Sequence, residues 1–412
     1  MKHLLPLALA GALAASPAQA VEIEVAYAYS SIFDPTFERI VEGFSKAHPD
    51  IEVKFRATYE NYEDATNTIL REAVARTLPD VSFQALNRQA ILVERGIAKP
   101  LDSYIAAEPD FNAAGYHKAM LDLSAFDGKI YGLPFSVSTP ISYYNMDILK
   151  EAGVDTVPVS WDDVIEACRK IEAKGHDALH WHWDISGNWL LQAALWSEGV
   201  PTIKDGKLNM DNAEGLKALE TAKAIFRDCH MKNISGTDAS KLFAAGKLGM
   251  LFTTTAYVGF VERSKLGDWA FVTGPYPGIG GAPKALPAGG NSAMLTSAST
   301  DPEKLKAAWE FIKFATSGEG AAAVALTTGY IPPNKVANEL LMDNFYAKNP
   351  NKLTAVRQLP LLSEWFAYPG DNGLAITQLI EDKLESILVG DADDMAALRD
   401  EMVEEVNDLL PR

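Results

Sequence analysis

Two hydrophobic periodicities alternate along the first quarter of the chain. The segment VEIEVAYAYS (21–30) alternates apolar and polar residues, as a half-buried strand does, and IEVKFRATY (51–59) and DVSFQAL (80–86) follow the same pattern. Between them, apolar residues recur every three or four positions, which predicts a helix opened by Asp34-Pro35 and another over about 62–77. This order of strands and helices is typical of a parallel sheet covered on both faces.

The second half of the chain repeats this order. Predicted strands and helices alternate, with strands at 142–145, 247–255 and 289–299, and helices at 159–175, 213–228, 238–246, after Asp301-Pro302 and at 375–390. No internal repeat or low-complexity linker divides the chain. We therefore expect two α/β lobes, each a mostly parallel sheet flanked by helices, between which the chain crosses more than once.

The N-terminal residues have the layout of a secretory signal peptide. Lys2 precedes an apolar run from Leu4 to about Ala15, and Ala18-Gln19-Ala20 supplies the small residues of a cleavage site. The run is shorter than the roughly 20 apolar residues that span a bilayer. We predict cleavage after Ala20 and export to the periplasm.

Length, charge and cysteine content narrow the function classes. A chain of 412 residues exceeds the size of a single hydrophobic core, about 250–300 residues, so two domains are expected. The formal net charge of −18 disfavours nucleic acid and anionic membrane surfaces as partners. The two cysteines, Cys168 and Cys229, fit either one disulfide or two free buried thiols, and neither resembles a metal site.

Three predicted strands run into small or hydroxyl-bearing residues. These segments are SVSTP (136–140), TTTAY (253–257) and AGGNS (288–292). Ligands of doubly wound sheets bind beyond the carboxyl ends of strands, where loops present backbone amides and short polar side chains. The predicted ligand-binding residues from these segments are Ser138, Thr139, Thr254, Thr255, Gly289, Gly290 and Asn291.

Aromatic residues gather in three segments rich in glycine, proline and asparagine. They are HWHWDISGNW (180–189), TGYIPPN (328–334) and SEWFAYPGDNG (363–373). Core packing explains one buried ring per segment, whereas rings beside hydroxyls also suit the apolar face and polar edge of a sugar or polyol. The latter interpretation adds Trp183, Trp189, Tyr330 and Trp365 to the predicted site.

Metal and catalytic signatures are sparse. His180, His182 and Asp184 alternate at strand spacing, but no fourth ligand is near in sequence, and we predict no metal and no cofactor. The sequence has no nucleophile elbow, HExxH motif, P-loop or dinucleotide fingerprint. Binding without turnover is the favoured function. An exported glycan-acting hydrolase stays open as the alternative, because two catalytic carboxylates meet only in the fold.

Several long segments resemble the extracellular solute-binding proteins of bacterial ABC importers, of the carbohydrate type known as family 1. They are GKIYGLPFSVSTPISYYNMDILKEAGV (128–154), KLFAAGKLGMLFTTTAY (241–257), GGNSAMLTSASTDPEKLKAAWEFIKFATSGEGA (289–321) and TTGYIPPNKVA (327–337). Within that family, the glycerol-3-phosphate-binding members are the most similar. The resemblance implies ligand contacts at Tyr62, Ser138, Thr254 or Thr255, Gly290 and Tyr330.

Two positions depart from those members. Leu86 stands where they have a glutamate, and near Pro369 no arginine replaces the one they use before the last helix. An arginine is the side chain best suited to hold phosphate in two hydrogen bonds. A phosphorylated solute and an uncharged sugar or polyol therefore both stay open.

The resemblance also implies an architecture and partners. It implies a type II periplasmic binding protein fold with a signal peptide (1–20), an N-terminal lobe (21–135 and 289–330) and a C-terminal lobe (136–288 and 331–412). The hinge would have several chain crossings, the first at FSVSTP. The expected partners are a small solute and importer permease subunits with their ATPase. We expect a monomer, and delivery to a chemoreceptor stays open.

Overall fold

The computed structural model describes residues 20–116, 118–342 and 345–411, so the predicted signal peptide lies outside the described residues except for Ala20. The strands in chain order are β1 (Val21–Ala26), β2 (Ile51–Phe55), β3 (Val81–Ala85), β4 (Ala125–Phe126), β5 (Lys129–Ile130), β6 (Gly132–Ser138), β7 (Pro140–Asn145), β8 (Asp177–Trp181), β9 (Ile203–Lys204), β10 (Lys207–Leu208), β11 (Leu248–Thr254), β12 (Phe271–Pro275), β13 (Leu286–Pro287), β14 (Gly289–Leu295) and β15 (Leu362–Ser363). The helices are α1 (Ser30–Ala47), α2 (Tyr62–Ala75), α3 (Gln89–Glu94), α4 (Asp102–Ala107), α5 (Lys118–Leu121), α6 (Met146–Glu151), α7 (Trp161–Glu172), α8 (Trp189–Ser197), α9 (Ala213–Lys223), α10 (Gly236–Ala244), α11 (Val258–Ser264), α12 (Pro302–Thr316), α13 (Gly318–Thr327), α14 (Lys335–Met342), α15 (Phe345–Lys348), α16 (Pro350–Arg357), α17 (Gly373–Val389) and α18 (Met395–Leu409). Among these helices, none is both long and apolar enough to cross a bilayer.

A five-stranded sheet, in the order β2-β1-β3-β14-β6, forms the first lobe. β1 pairs in parallel with β2 and β3, whereas β14 runs antiparallel to both β3 and β6. Helix α1 buries the apolar stripe that its spacing predicts, including Phe37 and Phe44. The Phe44 ring meets Phe311 of α12 edge-on at 5.2 Å, so these two helices pack against each other beside the sheet.

A four-stranded sheet, in the order β12-β7-β11-β8, forms the second lobe. β7 runs antiparallel to β12 and β11, and β11 runs parallel to β8. Helix α7 begins at a reciprocal capping pair, Ser160 and Asp163, and buries Trp161 and Cys168. Cys168 is joined to Cys229 by a disulfide, which decides between the two alternatives that the sequence left open.

The predicted α/β class is confirmed, and most strands of each sheet run in one direction, as predicted. In the first sheet β14 runs against the shared direction of β1, β2, β3 and β6, and in the second β7 runs against the shared direction of β8, β11 and β12. Each of these two strands, β7 and β14, begins where the chain passes from one sheet to the other. Such a strand needs no crossover helix within its own sheet and so escapes the constraint that makes strand–helix–strand units parallel.

The first crossing between the lobes is a single residue. β6 ends at Ser138 in the first sheet and β7 begins at Pro140 in the second, with Thr139 between them. The Thr139 carbonyl accepts a hydrogen bond from the Thr255 amide at 3.1 Å, and its hydroxyl accepts one from the Gln358 side chain at 3.0 Å. The hydrogen-bonding groups of this hydroxyl-rich stretch therefore find partners within the protein, as a buried crossing requires. Which segments move together stays a prediction.

Candidate functional site

A small cavity lies where the strand ends of the two sheets meet. Its volume is about 30 Å³, and its walls are Tyr29, Ile32, Tyr62, Ser138, His182, Ile185, Ser186, Trp189, Thr254, Tyr257, Gly289, Gly290, Tyr330 and Trp365. A larger groove of about 720 Å³ runs between helices α2 and α3 on one side and residues 367–374 on the other. We place the candidate site in the smaller cavity, because it joins polar strand ends and aromatic rings of both lobes.

Two glycines at the start of β14 allow the walls of the cavity to approach closely. Gly290 has a φ of +123°, and a Cβ there would lie 2.0 Å from the Ser136 carbonyl oxygen. A Cβ on Gly289 would lie 2.4 Å from the Ser138 hydroxyl oxygen and 2.9 Å from the Trp189 ring. Only glycine fits this close approach of β14, β6 and helix α8.

Aromatic rings from both lobes form a continuous wall. The Tyr62 ring meets Tyr29 edge-on at 5.1 Å and Trp365 at 6.1 Å, and Trp365 lies 6.0 Å from Trp189. Tyr330 follows helix α13, and its ring stacks on Phe33 of α1 at 5.4 Å. Rings in such an arrangement present flat apolar faces with hydroxyl or N–H groups at their edges.

The polar groups of the cavity are uncharged near neutral pH. Burial lowers the pKa of His182, whose Nδ1 lies 2.8 Å from the Thr253 hydroxyl. Burial raises the pKa of Tyr62 to about 12, so its hydroxyl stays protonated and accepts a hydrogen bond from Asn291 at 2.8 Å. The buried indole N–H of Trp365 has no hydrogen-bond partner among the described residues and remains available to a ligand.

The structure brings together eight of the twelve predicted ligand-binding residues. These eight are Tyr62, Ser138, Trp189, Thr254, Gly289, Gly290, Tyr330 and Trp365. Seven of them come from the three predicted strand ends and the three aromatic segments, and the eighth, Tyr62, is the contact that the family resemblance implied. The structure gives the positions of these residues, and their role in binding stays a prediction.

The other four predicted residues do not line the cavity. Thr139 occupies the crossing, Thr255 donates a hydrogen bond to the Gly329 carbonyl at 2.7 Å, and Asn291 supports the Tyr62 hydroxyl from behind. Trp183 is buried in the second lobe with its ring 6.3 Å from Phe226. Each lies one or two positions from a lining residue, so the neighbouring side chain points the other way.

Six lining residues were absent from the predicted site. They are Tyr29, Ile32, His182, Ile185, Ser186 and Tyr257. Three of them, His182, Ile185 and Ser186, lie inside the tryptophan-rich segment 180–189. The imidazole of His182 and the hydroxyl of Ser186, both shortly after strand β8, could therefore have been predicted as polar groups of the site. Tyr29 has a φ of +62°, an unusual backbone conformation for tyrosine that turns β1 into α1 and that no sequence pattern indicated.

The three residues weighed as metal ligands do not converge. The nitrogens of His180 have no hydrogen-bond partner among the described residues, and burial lowers its pKa to about 3. The Nε2 atom of His182 lies 3.5 Å from an Asp184 carboxylate oxygen. Across the described part of the chain, no group of three or more His, Cys, Asp or Glu side chains is placed to hold a metal ion.

Comparisons with known proteins agree with this architecture. The family model described as bacterial extracellular solute-binding protein matches residues 39–355, well over half of the chain. A binding protein of Brucella abortus is 26% identical over 402 residues, which cover 94% of this chain and 93% of that protein. The lactose-binding protein of Rhizobium radiobacter is 28% identical over 293 residues, which cover 66% of this chain and 67% of that protein.

Solved structures show the same fold. The crystal structure of UgpB from Mycobacterium tuberculosis in complex with glycerophosphocholine matches with a TM-score of 0.83 and 21% sequence identity, covering 95% of this chain and 98% of that chain. At this identity the similarity concerns the fold alone. It confirms the predicted two-lobed α/β architecture.

Proposed function

The chain belongs to the bacterial extracellular solute-binding proteins, and from this membership we propose that it captures a small hydroxyl-rich solute between its lobes and delivers it to an ABC importer. The solute is a sugar, a polyol or a glycerol-phosphate-type molecule. It is released unchanged, so the protein acts as a binder and not as an enzyme. The candidate site is the cavity between the two sheets.

One observation carries this proposal. Strand ends and aromatic rings of both lobes line a single cavity, with Ser138 and Gly289 from the first lobe facing Thr254 and Trp189 from the second. A solute held there contacts both lobes at once, so its binding energy favours the arrangement in which the lobes are together. That is the physical basis of a hinge-closing binding protein.

The size of the cavity implies that the lobes must separate to admit a solute. Its volume of about 30 Å³ is room for a few water molecules at most. Pockets for small ligands have volumes of about 300–1,000 Å³. We therefore propose that the solute enters an open form and that the lobes close around it, with the crossing at Thr139 as one hinge strand.

The chemistry of the lining favours an uncharged solute. Among the described residues, no lysine or arginine lines the cavity, and burial lowers the pKa of His182, so its imidazole is neutral. Phosphate is normally held by arginine, lysine or the amides of a helix N-terminus. We favour a sugar or polyol, as the name of the lactose-binding relative suggests, over the phosphodiester found with the structural neighbour.

The cellular setting follows from the family and the N-terminal sequence. We propose that the chain is exported by its signal peptide, cut after Ala20, and works in the periplasm as a monomer. Its partners are then the permease subunits of the importer and, through them, the ATPase. The permease recognises the closed form, in which the two lobes present a joint surface.

A thermal-shift panel of sugars, polyols and glycerophosphodiesters tests the proposal. We expect at least one sugar or polyol to raise the melting temperature while chromatography detects no product. Trp189→Ala should abolish this shift, and Trp183→Ala is its matched control, because that indole is also buried but lies outside the cavity. Product formation would instead indicate the hydrolase alternative. If Trp189→Ala and Trp183→Ala reduce the thermal shift equally, the result would contradict the placement of the binding site in this cavity.

A further inference from the structure

A group of buried polar residues joins the two lobes beside the cavity. Glu63 lies at the start of α2, and Arg88 ends the turn after β3, so both belong to the first lobe. Ser186 and Gly187 follow β8, and Thr377 lies on α17, so these three belong to the second lobe. We call these five residues the interlobe clamp.

The carboxylate of Glu63 is the centre of this clamp. It accepts hydrogen bonds from the Ser186 hydroxyl at 2.5 Å, from the Gly187 amide at 2.9 Å and from the Arg88 guanidinium at 2.6 Å. Arg88 in turn donates to the Thr377 hydroxyl at 3.1 Å. Two residues of one lobe thus make three hydrogen bonds to the other lobe, each with a charged group as donor or acceptor.

Burial makes these contacts stronger than a surface ion pair. The Arg88 side chain is 5% exposed and that of Glu63 is 21% exposed. Burial alone would raise the pKa of Glu63, but the guanidinium of Arg88 and the hydroxyl of Ser186 outweigh it and hold the pKa below its ordinary value. Glu63 is therefore ionised, and its hydrogen bonds are charge-assisted.

The backbone at Gly187 is shaped for this contact. Its φ is +70°, and a Cβ there would lie 2.4 Å from the side-chain amide nitrogen of Asn87 and 3.3 Å from the indole nitrogen of Trp365. Glycine is thus the residue that allows the first lobe to approach the backbone amide from the second. The contact exists only when the lobes are together.

The clamp adjoins the solute cavity without depending on the solute. Glu63 and Arg88 do not line the cavity, whereas Ser186 does, and its hydroxyl also lies 3.0 Å from that of Tyr29 on the opposite lobe. We propose that Glu63 and Arg88 are positioning residues that draw the lobes together in the absence of solute and so set how much closure a solute must still supply. This inference rests on the proposed hinge-closing function.

Hydrogen exchange measured by mass spectrometry on the purified, solute-free protein tests the proposal. In Glu63→Gln and Ser186→Ala, we expect the amides of residues 186–189 to exchange about tenfold faster or more, because a hydrogen bond to a charged group is lost or weakened. The amides of β1 and β11 should keep their wild-type rates. Glu42→Gln is the matched control, since Glu42 pairs with Lys46 at 2.8 Å on the exposed face of α1 and should change nothing.

Each outcome decides the question. Unchanged exchange at residues 186–189 in both variants would overturn the clamp. If Glu63→Gln speeds exchange throughout the protein, that substitution has unfolded the chain. The exchange rates at residues 186–189 in Ser186→Ala and Thr377→Val then decide whether the clamp exists. No solute is used, so failure of every compound in the thermal-shift panel would contradict the proposed function and leave the clamp result standing.

Discussion

Replacing Gly289 by alanine is the sharpest perturbation of the candidate site. The added Cβ would lie 2.4 Å from the Ser138 hydroxyl oxygen and 2.9 Å from the Trp189 ring, about 1 Å and 0.5 Å inside ordinary contact distance. Gly289 is not among the glycines with positive φ, so its backbone suits alanine and the conflict is steric. Both neighbours line the cavity, and they come from different lobes.

The magnitude follows from the cost of overpacking. Forcing one methyl group into a packed site typically costs about 1–3 kcal/mol. If the displaced Ser138 hydroxyl and Trp189 ring are needed to hold the solute, this cost falls on the bound state. The dissociation constant should then rise about 5- to 150-fold, since about 1.4 kcal/mol corresponds to a factor of ten.

Isothermal titration calorimetry with the solute identified by the thermal-shift panel measures this change. Gly280→Ala is the matched control, because this glycine is exposed and the nearest group to its Cβ would be the carboxylate end of Glu198, at 3.0 Å. The control should bind as the wild type does. Wild-type affinity in Gly289→Ala would show that this cavity does not hold the solute.

Three further predictions concern stability. Replacing Cys168 and Cys229 by alanine should lower the free energy of unfolding in urea by about 4 kcal/mol, as the chain-entropy estimate gives for a disulfide that closes a sequence separation of 61 residues; an unchanged midpoint would contradict this. Burial, reinforced by neighbouring carboxylates, raises the pKa of Glu381 to about 8, so the folded protein keeps a proton that the unfolded chain releases near pH 4.5. Stability should therefore fall as pH rises from about 5 to 8, by at most about 1.4 kcal/mol per pH unit, and Glu381→Gln should flatten that part of the urea-midpoint profile. Gln358→Leu should lower the free energy of unfolding by about 2–4 kcal/mol in the same assay. The buried Gln358 side chain is hydrogen-bonded to the Thr139 hydroxyl, the Pro140 carbonyl and the Tyr276 amide, and leucine can make none of these bonds. A loss below about 0.5 kcal/mol, the effect of an ordinary surface substitution, would argue against a role of Gln358 at the crossing.

Local periodicity was sufficient to predict the α/β class, because it reports which face of each element is buried. It was weaker at element ends and in sheet pairing. Helix α1 begins at Ser30, before the Asp34-Pro35 pair that the sequence pattern predicts as its start, since the buried Ile32 and Phe33 already belong to the helix. The antiparallel pairing of β14 with β3 depends on where the chain re-enters the first sheet, and that is a tertiary fact.

The candidate site was predictable where strand ends carry a chemical signal. Ser138, Thr254 and Gly290 follow that signal and line the cavity. For neighbouring residues the sequence does not show which side chain faces the cavity. Thr255 carries the same hydroxyl as Thr254, but its hydroxyl donates a hydrogen bond to the Gly329 carbonyl instead. The contact between Glu63 and Ser186 joins residues that are 123 positions apart, so only the fold reveals it.

Small-angle X-ray scattering with and without saturating solute measures whether a solute closes the two lobes. We predict that the solute lowers the radius of gyration as the lobes close around it, and that the same compound is recovered intact afterwards. A radius of gyration that does not change on binding, or a compound recovered in altered form, would contradict this prediction.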